Sequence, residues 1–73
     1  MARIALGIED KGAGTEIAFA GPDTMQVMLF TRLVNDSPVV MNTMVAMSTL
    51  QVGDTICWGC NGDGYVVSSV TTV

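Results

Sequence analysis

Two cysteines stand three positions apart in Cys57-Trp58-Gly59-Cys60. That spacing suits a redox dithiol or half of a zinc site. A redox pair needs a helix N-terminus that lowers the thiol pKa, in a βαβ setting. The residues that follow, Asn61-Gly62-Asp63-Gly64, read as a tight turn instead. In an extended strand, residues three apart lie about 10 Å from each other, beyond disulfide reach, and point to opposite faces. A bridge needs the chain to turn at Trp58-Gly59, which glycine permits without requiring it. Structural zinc takes four ligands, and the chain has no histidine. Cys57 and Cys60 are therefore the metal candidates. Only a dimer giving two cysteines from each chain, or a carboxylate such as Asp63, completes that site. The simpler expectation is no metal, with one cysteine inward and the other outward on a strand.

Other chemistry has less to work with. Asn61-Gly62-Asp63-Gly64 lacks the alternating acidic ligands and the bidentate glutamate of a calcium loop. Lys11-Gly12-Ala13-Gly14-Thr15 lacks the spacing and the helix of a phosphate loop. No serine sits in a nucleophile elbow, and Glu9-Asp10 fall in a turn. The expectation is a protein that is not an enzyme, with no cofactor and no small-molecule substrate. The formal net charge is −4, and the basic residues are Arg3, Lys11 and Arg32 alone. Such a scatter cannot neutralise a run of phosphates, which disfavours nucleic acid and anionic membranes. Residues 1–9 hold too short an apolar stretch for a signal peptide, and no run has the length of a membrane-spanning helix. The expected place is a cytoplasm, where free thiols are the default.

The elements must come from short runs. Turn signals fall at Glu9-Asp10-Lys11-Gly12-Ala13-Gly14, Gly21-Pro22-Asp23, Asn35-Asp36-Ser37-Pro38, Gly53-Asp54 and Asn61-Gly62-Asp63-Gly64. Between them lie β-branched and apolar runs, the pattern of an all-β fold. In 3–8, Ile4, Leu6 and Ile8 share one face. In 15–20, Ile17 and Phe19 share one face. These make the first hairpin, with Gly12-Ala13-Gly14 at its tip. In 24–34, Met25, Val27, Leu29 and Leu33 lie on one face, and Met28, Phe30 and Val34 on the other. Two apolar faces imply two buried faces: one for the domain's core, the other for a neighbouring subunit. Arg32 is expected near the rim, where an acidic residue could pair with it.

The run 39–50 is ambiguous. Ser37-Pro38 is a good helix start, and Val40, Met44 and Met47 fall at helical spacing. Val39, Val40, Thr43, Val45 and Thr49 are β-branched and favour strand. As a strand, Val39, Met41, Val45 and Met47 share a face, and strand or extended chain is preferred. The final hairpin is expected to pair 55–60 with 65–70. The resulting fold is all-β: a single domain over 1–73, a small antiparallel β-barrel or sandwich of five to six short strands, with a short helix near 38–50 left open.

Hydrophobic residues make up 49% of the chain and charged residues 14%. A domain of 73 residues has little interior to hide them. Partner chains are the direct remedy, so a homo-oligomer or a subunit of a larger shell or tail assembly is expected. The interface candidates are Met25, Met28, Phe30, Met44 and Trp58. Methionine supplies adaptable apolar filler, and tryptophan a large ring.

Three motifs carry a resemblance. They are Thr15-Glu16-Ile17-Ala18-Phe19-Ala20-Gly21-Pro22-Asp23, Leu50-Gln51-Val52-Gly53-Asp54-Thr55-Ile56 and Gly62-Asp63-Gly64-Tyr65-Val66-Val67-Ser68-Ser69-Val70. Their order resembles the small OB-like or SH3-like barrels of tailed-phage structural proteins. The resemblance implies a virion role in capsid decoration, head–tail connection or tail assembly, with no catalytic residues to carry over. The leading expectation is thus a non-enzymatic structural subunit, located in the virion if viral. The alternatives are a small acidic inhibitor or adaptor of a host enzyme, and a zinc-bridged dimer.

Overall fold

The computed structural model describes residues 2–57 and 64–73. Six strands form one antiparallel sheet: β1 (Arg3–Asp10), β2 (Glu16–Pro22), β3 (Gln26–Val34), β4 (Ser37–Ala46), β5 (Thr55–Cys57) and β6 (Tyr65–Thr72), in the order β2-β1-β6-β5-β3-β4. A 3-10 turn at Met47–Thr49 follows β4. It lies inside the region where a short helix was left open. The rest of that region is strand, as its β-branched residues favour.

The expected barrel is corrected to an open sheet. β2 and β4 are its two edges and do not pair with each other. The sheet nevertheless curls. β1, β6 and β5 separate β2 from β3, so a flat sheet would hold those two strands about 19 Å apart. The connection from Pro22 to Gln26 can span only about 14 Å. Curling brings the strands within its reach. Asp23 donates its N–H to the carbonyl of Ala2, Met47 donates to that of Met25, and Ser48 to that of Asp23. A Cβ added to Gly21 would touch the sulfurs of both Met25 and Met47. Side chains and loop backbone thus close the seam that a strand ladder would close in a barrel.

The concave face holds the core: Ile4, Leu6, Ile8, Val27, Leu29, Met47, Leu50, Ile56 and Val67, with Phe19, Val45, Tyr65 and Val70 against it. The alternation of β1 predicts its three members. Leu33 departs from its expected face and is exposed. The cause is a bulge. Against β5, Leu29 pairs with Ile56 and Thr31 with Thr55, so Phe30 is an extra residue on β3 and the alternation shifts after it; against β4, Met41 and Asn42 together oppose Phe30. Asn42 takes a left-handed φ of 48° there, which asparagine tolerates better than most residues. A second bulge in the β1–β6 ladder lies beside Gly7. Its backbone is held by serine hydroxyls, Ser69 Oγ accepting from Gly7 N–H and Ser68 Oγ donating to Gly7 O.

The turns follow their residues. Asp10 Oδ1 accepts from the N–H of Gly12 at 2.8 Å and of Ala13 at 3.2 Å, an Asx-type turn at the first hairpin tip. Asn35 and Asp36 both have positive φ, 52° and 65°, as a two-residue hairpin turn of type I′ requires. The last hairpin keeps β5 against β6 through Thr55↔Val66 and Ile56↔Tyr65. Residues 58–63, which include the rest of its expected first strand and most of its turn, lie outside the described residues.

Two glycines with positive φ give a test. At Gly64 (φ +75°) a Cβ would stand 2.7 Å from the carbonyl oxygen of Ile56, whereas at Gly14 (φ +72°) it would meet nothing within 4 Å. Gly14→Ala should therefore cost about 1 kcal/mol from backbone strain alone, and Gly64→Ala about 2–4 kcal/mol from strain plus clash. Urea unfolding of the two variants measures both; equal losses would contradict the packing described around Gly64.

Candidate functional site

β3 and β4 outrun the sheet. The β5 partners of β3 stop at Thr31, and beyond it Arg32, Leu33 and Val34 pair only with Val39, Pro38 and Ser37. Among the described residues, 32–39 therefore form a two-stranded arm with no third strand beside it. Every residue of β4 from Ser37 to Met44 is exposed, and the strand contains no charged residue. Val40 is 70% exposed, Leu33 51% and Met44 49%, with Val34, Val39 and Met41 also open. The total accessible surface is 4410 Å², close to the roughly 4,300 Å² expected of a compact chain of this mass. The apolar arm is thus outside a compact body, not a sign of loose packing.

One polar device anchors the arm at its base. Asp54 is 1% exposed, and its carboxylate accepts from Arg32 Nε at 3.1 Å and from Arg32 Nη2 at 2.9 Å. Asp54 Oδ2 also accepts from the N–H of Gln51 at 2.9 Å, and Arg32 Nη2 donates to the carbonyl of Thr49 at 2.9 Å. The backbone carbonyl of Asp54 accepts from Val67 N–H at 2.8 Å. One carboxylate thus joins β3 to the chain after the 3-10 turn, and its own backbone joins that chain to β6. The hydrogen bond to Asp54 raises the Arg32 pKa, partial burial opposes the shift, and the nearby negative charge adds to it. A raised folded pKa means the contribution is complete at any pH below the ordinary guanidinium range. It is lost only as pH rises past that range.

The sequence-predicted interface residues are only partly brought together. Met28 pairs with Met44 on one side and with Cys57 on the other, so the three form a row across the sheet. That row is on the face opposite Val27 and Leu29, since side chains alternate. Phe30 is half-buried, near Gly64. Met25 sits apart, in the β2–β3 connection beside Gly21. Trp58 lies outside the described residues. Cys57 is disulfide-bonded rather than a free strand thiol, and such a sulfur offers no thiolate to a metal. Cys60, the chain's other cysteine, lies outside the described residues. Among the described residues, no group of three or more His, Cys, Asp or Glu could hold a metal ion.

An acidic partner is expected for Arg32 and is found in Asp54, which the sequence shows only as a turn residue. The one available signal was an arginine in an apolar run, which needs an acceptor somewhere. Leu33, Val34 and Val40 were likewise not singled out, because exposure at a sheet edge depends on which strands lie alongside. No family model, curated protein or solved structure matches this chain. The barrel of that resemblance is corrected by the open sheet.

The clasp predicts an asymmetry. Arg32→Met leaves a buried carboxylate without its cation and should cost about 3–5 kcal/mol. Asp54→Asn keeps an acceptor for Gln51 and leaves an arginine with 21% of its side chain exposed, so about 1–3 kcal/mol is expected. Denaturant midpoints at neutral pH rank the two; the reverse order would show that the carboxylate is not the member trapped in the interior.

Proposed function

We propose that this protein is a non-enzymatic structural subunit that works by docking its apolar β3–β4 arm against other chains. The observation that carries the reading is the arm: apolar, uncharged along β4, and unflanked beyond Thr31. A contiguous exposed apolar patch of this kind marks an interaction site more often than it marks idle surface. The polar interior supports the same reading. Among the described residues, Asp54 and Thr55 are the buried polar ones, and the Asp54 carboxylate is occupied by Arg32 and Gln51. Its geometry serves rigidity, holding the arm at a fixed angle to the sheet.

A subunit of this kind should be found in particles larger than itself. Sedimentation of the tagged protein, both purified and in extracts of its native source, is expected to place it in a homo-oligomer or a larger assembly. A chain that stays monomeric when purified and co-sediments with nothing in the extract would overturn the reading.

A further inference from the structure

We infer that the edge strand β2 joins a second copy of this chain, by antiparallel pairing of β2 with β2 about a two-fold axis at Ala18. The contact does not use the arm, which lies at the opposite end of the strand order. The neighbouring ladders settle which groups of β2 face outward. Arg3 donates its N–H to the Val73 carbonyl at 3.1 Å and accepts from Val73 N–H at 2.9 Å, so its backbone is turned away from β2. Asp10 N–H donates to the Thr15 carbonyl at 2.9 Å, so those two backbones face each other. Alternation along the unbroken β1–β2 register then turns the backbones of Glu16, Ala18 and Ala20 outward. Among the described residues β2 pairs with β1 alone, and Glu16, Ala18 and Ala20 are all exposed.

One register uses all three. With the axis at Ala18, that residue meets its own copy, and Glu16 of each chain meets Ala20 of the other. A shift one way brings in Pro22, which has no N–H to donate. A shift the other way brings in Gly14, which lies before the strand and has a left-handed φ of 72°.

Charge selects a second copy as the strand that fits. Glu16 guards β2 against a strand that brings no cation. In this register each Glu16 lands beside Ala20 of the other chain. The guanidinium of Arg3 is held at that point, its Nη2 donating to the Ala20 carbonyl at 3.4 Å. Arg3 stands directly across from Pro22, so it shares the convex face with Ala20, Ala18 and Glu16. The glutamate of one chain therefore meets the arginine of the other, twice about the axis. A carbonyl oxygen has two lone pairs, so Ala20 can hold Arg3 and still accept from Glu16 N–H of the copy. On the concave face, Ile17 is 41% exposed, and the same register sets it directly opposite Phe19 of the copy. A short strand pair with two exposed ion pairs is a small interface, so the dimer is a concentration-dependent one.

The test is a charge exchange read by sedimentation velocity, over a concentration series that reaches millimolar protein. Glu16→Arg and Arg3→Glu both change exposed side chains, and far-UV circular dichroism confirms the fold of each. E16R opposes two guanidinium groups at each contact, and R3E opposes two carboxylates. The expected result is a dimerising wild type and, for each variant alone, a dissociation constant at least ~10-fold higher. An equimolar mixture of the two variants is expected to dimerise like the wild type, because both contacts of the mixed pair again join unlike charges. A wild type that stays monomeric throughout, a dimer indifferent to both variants, or a mixture that stays dissociated overturns the contact. Neither variant touches β3 or β4, so co-sedimentation in native extract decides the role of the arm separately.

Discussion

The short connection between β2 and β3 constrains the whole molecule. It joins an edge strand to one lying beyond three intervening strands, and it is too short to do so across a flat sheet. Curvature follows from that length alone, and curvature creates an inside. Ile4, Leu6 and Ile8 on β1 reach Val27 and Leu29 on β3 because the sheet bends between them, with Ile56 and Val67 filling the middle. A flat sheet of this size would leave one whole apolar face in water. Met47 and Leu50 then cap the hollow from the chain that follows β4.

The same curvature leaves β3 and β4 projecting, and the Arg32–Asp54 pair answers the problem that projection creates. A two-stranded ribbon is marginal by itself in water. Here its base is fixed by a bidentate ion pair whose carboxylate is shielded from solvent, and whose arginine also holds the Thr49 carbonyl. Shielding strengthens the pair and makes either partner costly to lose. The arm is thus held by directional polar bonds at its root, by its ladder and by Leu33 against Gly53. Val34, Val39 and Val40 remain exposed.

Local patterns in the sequence set much of this. The alternation of Ile4, Leu6 and Ile8 defines the buried face of β1, and the β-branched residues of 39–50 decide for strand against a helix start at Ser37-Pro38. Asn35-Asp36 marks the turn between β3 and β4. What the sequence concealed depends on pairing order. Leu33 reads as a core residue by alternation, yet the extra residue Phe30 in the β3–β5 ladder and the end of β5 leave it half exposed. Barrel or open sheet is decided by whether two strands distant in sequence meet, which no local run encodes. Asp54 looked like half of a Gly-Asp turn because its partner lies on β3, far away along the chain.

Composition gains a sharper meaning from the distribution of charge. A chain with half its residues apolar and a compact surface must expose some of them. Random placement would mix them with carboxylates over both edges. Instead Glu9, Asp10 and Glu16 gather at the β1–β2 end, where Asp10 also folds its turn. Asp54 is buried in its clasp, and Asp36 stands at the tip of the arm in a turn that favours it. The long flank of β4 is left neutral. Carboxylates guard the β2 edge, whereas Pro38 and the Met41–Asn42 bulge interrupt the neutral edge of β4.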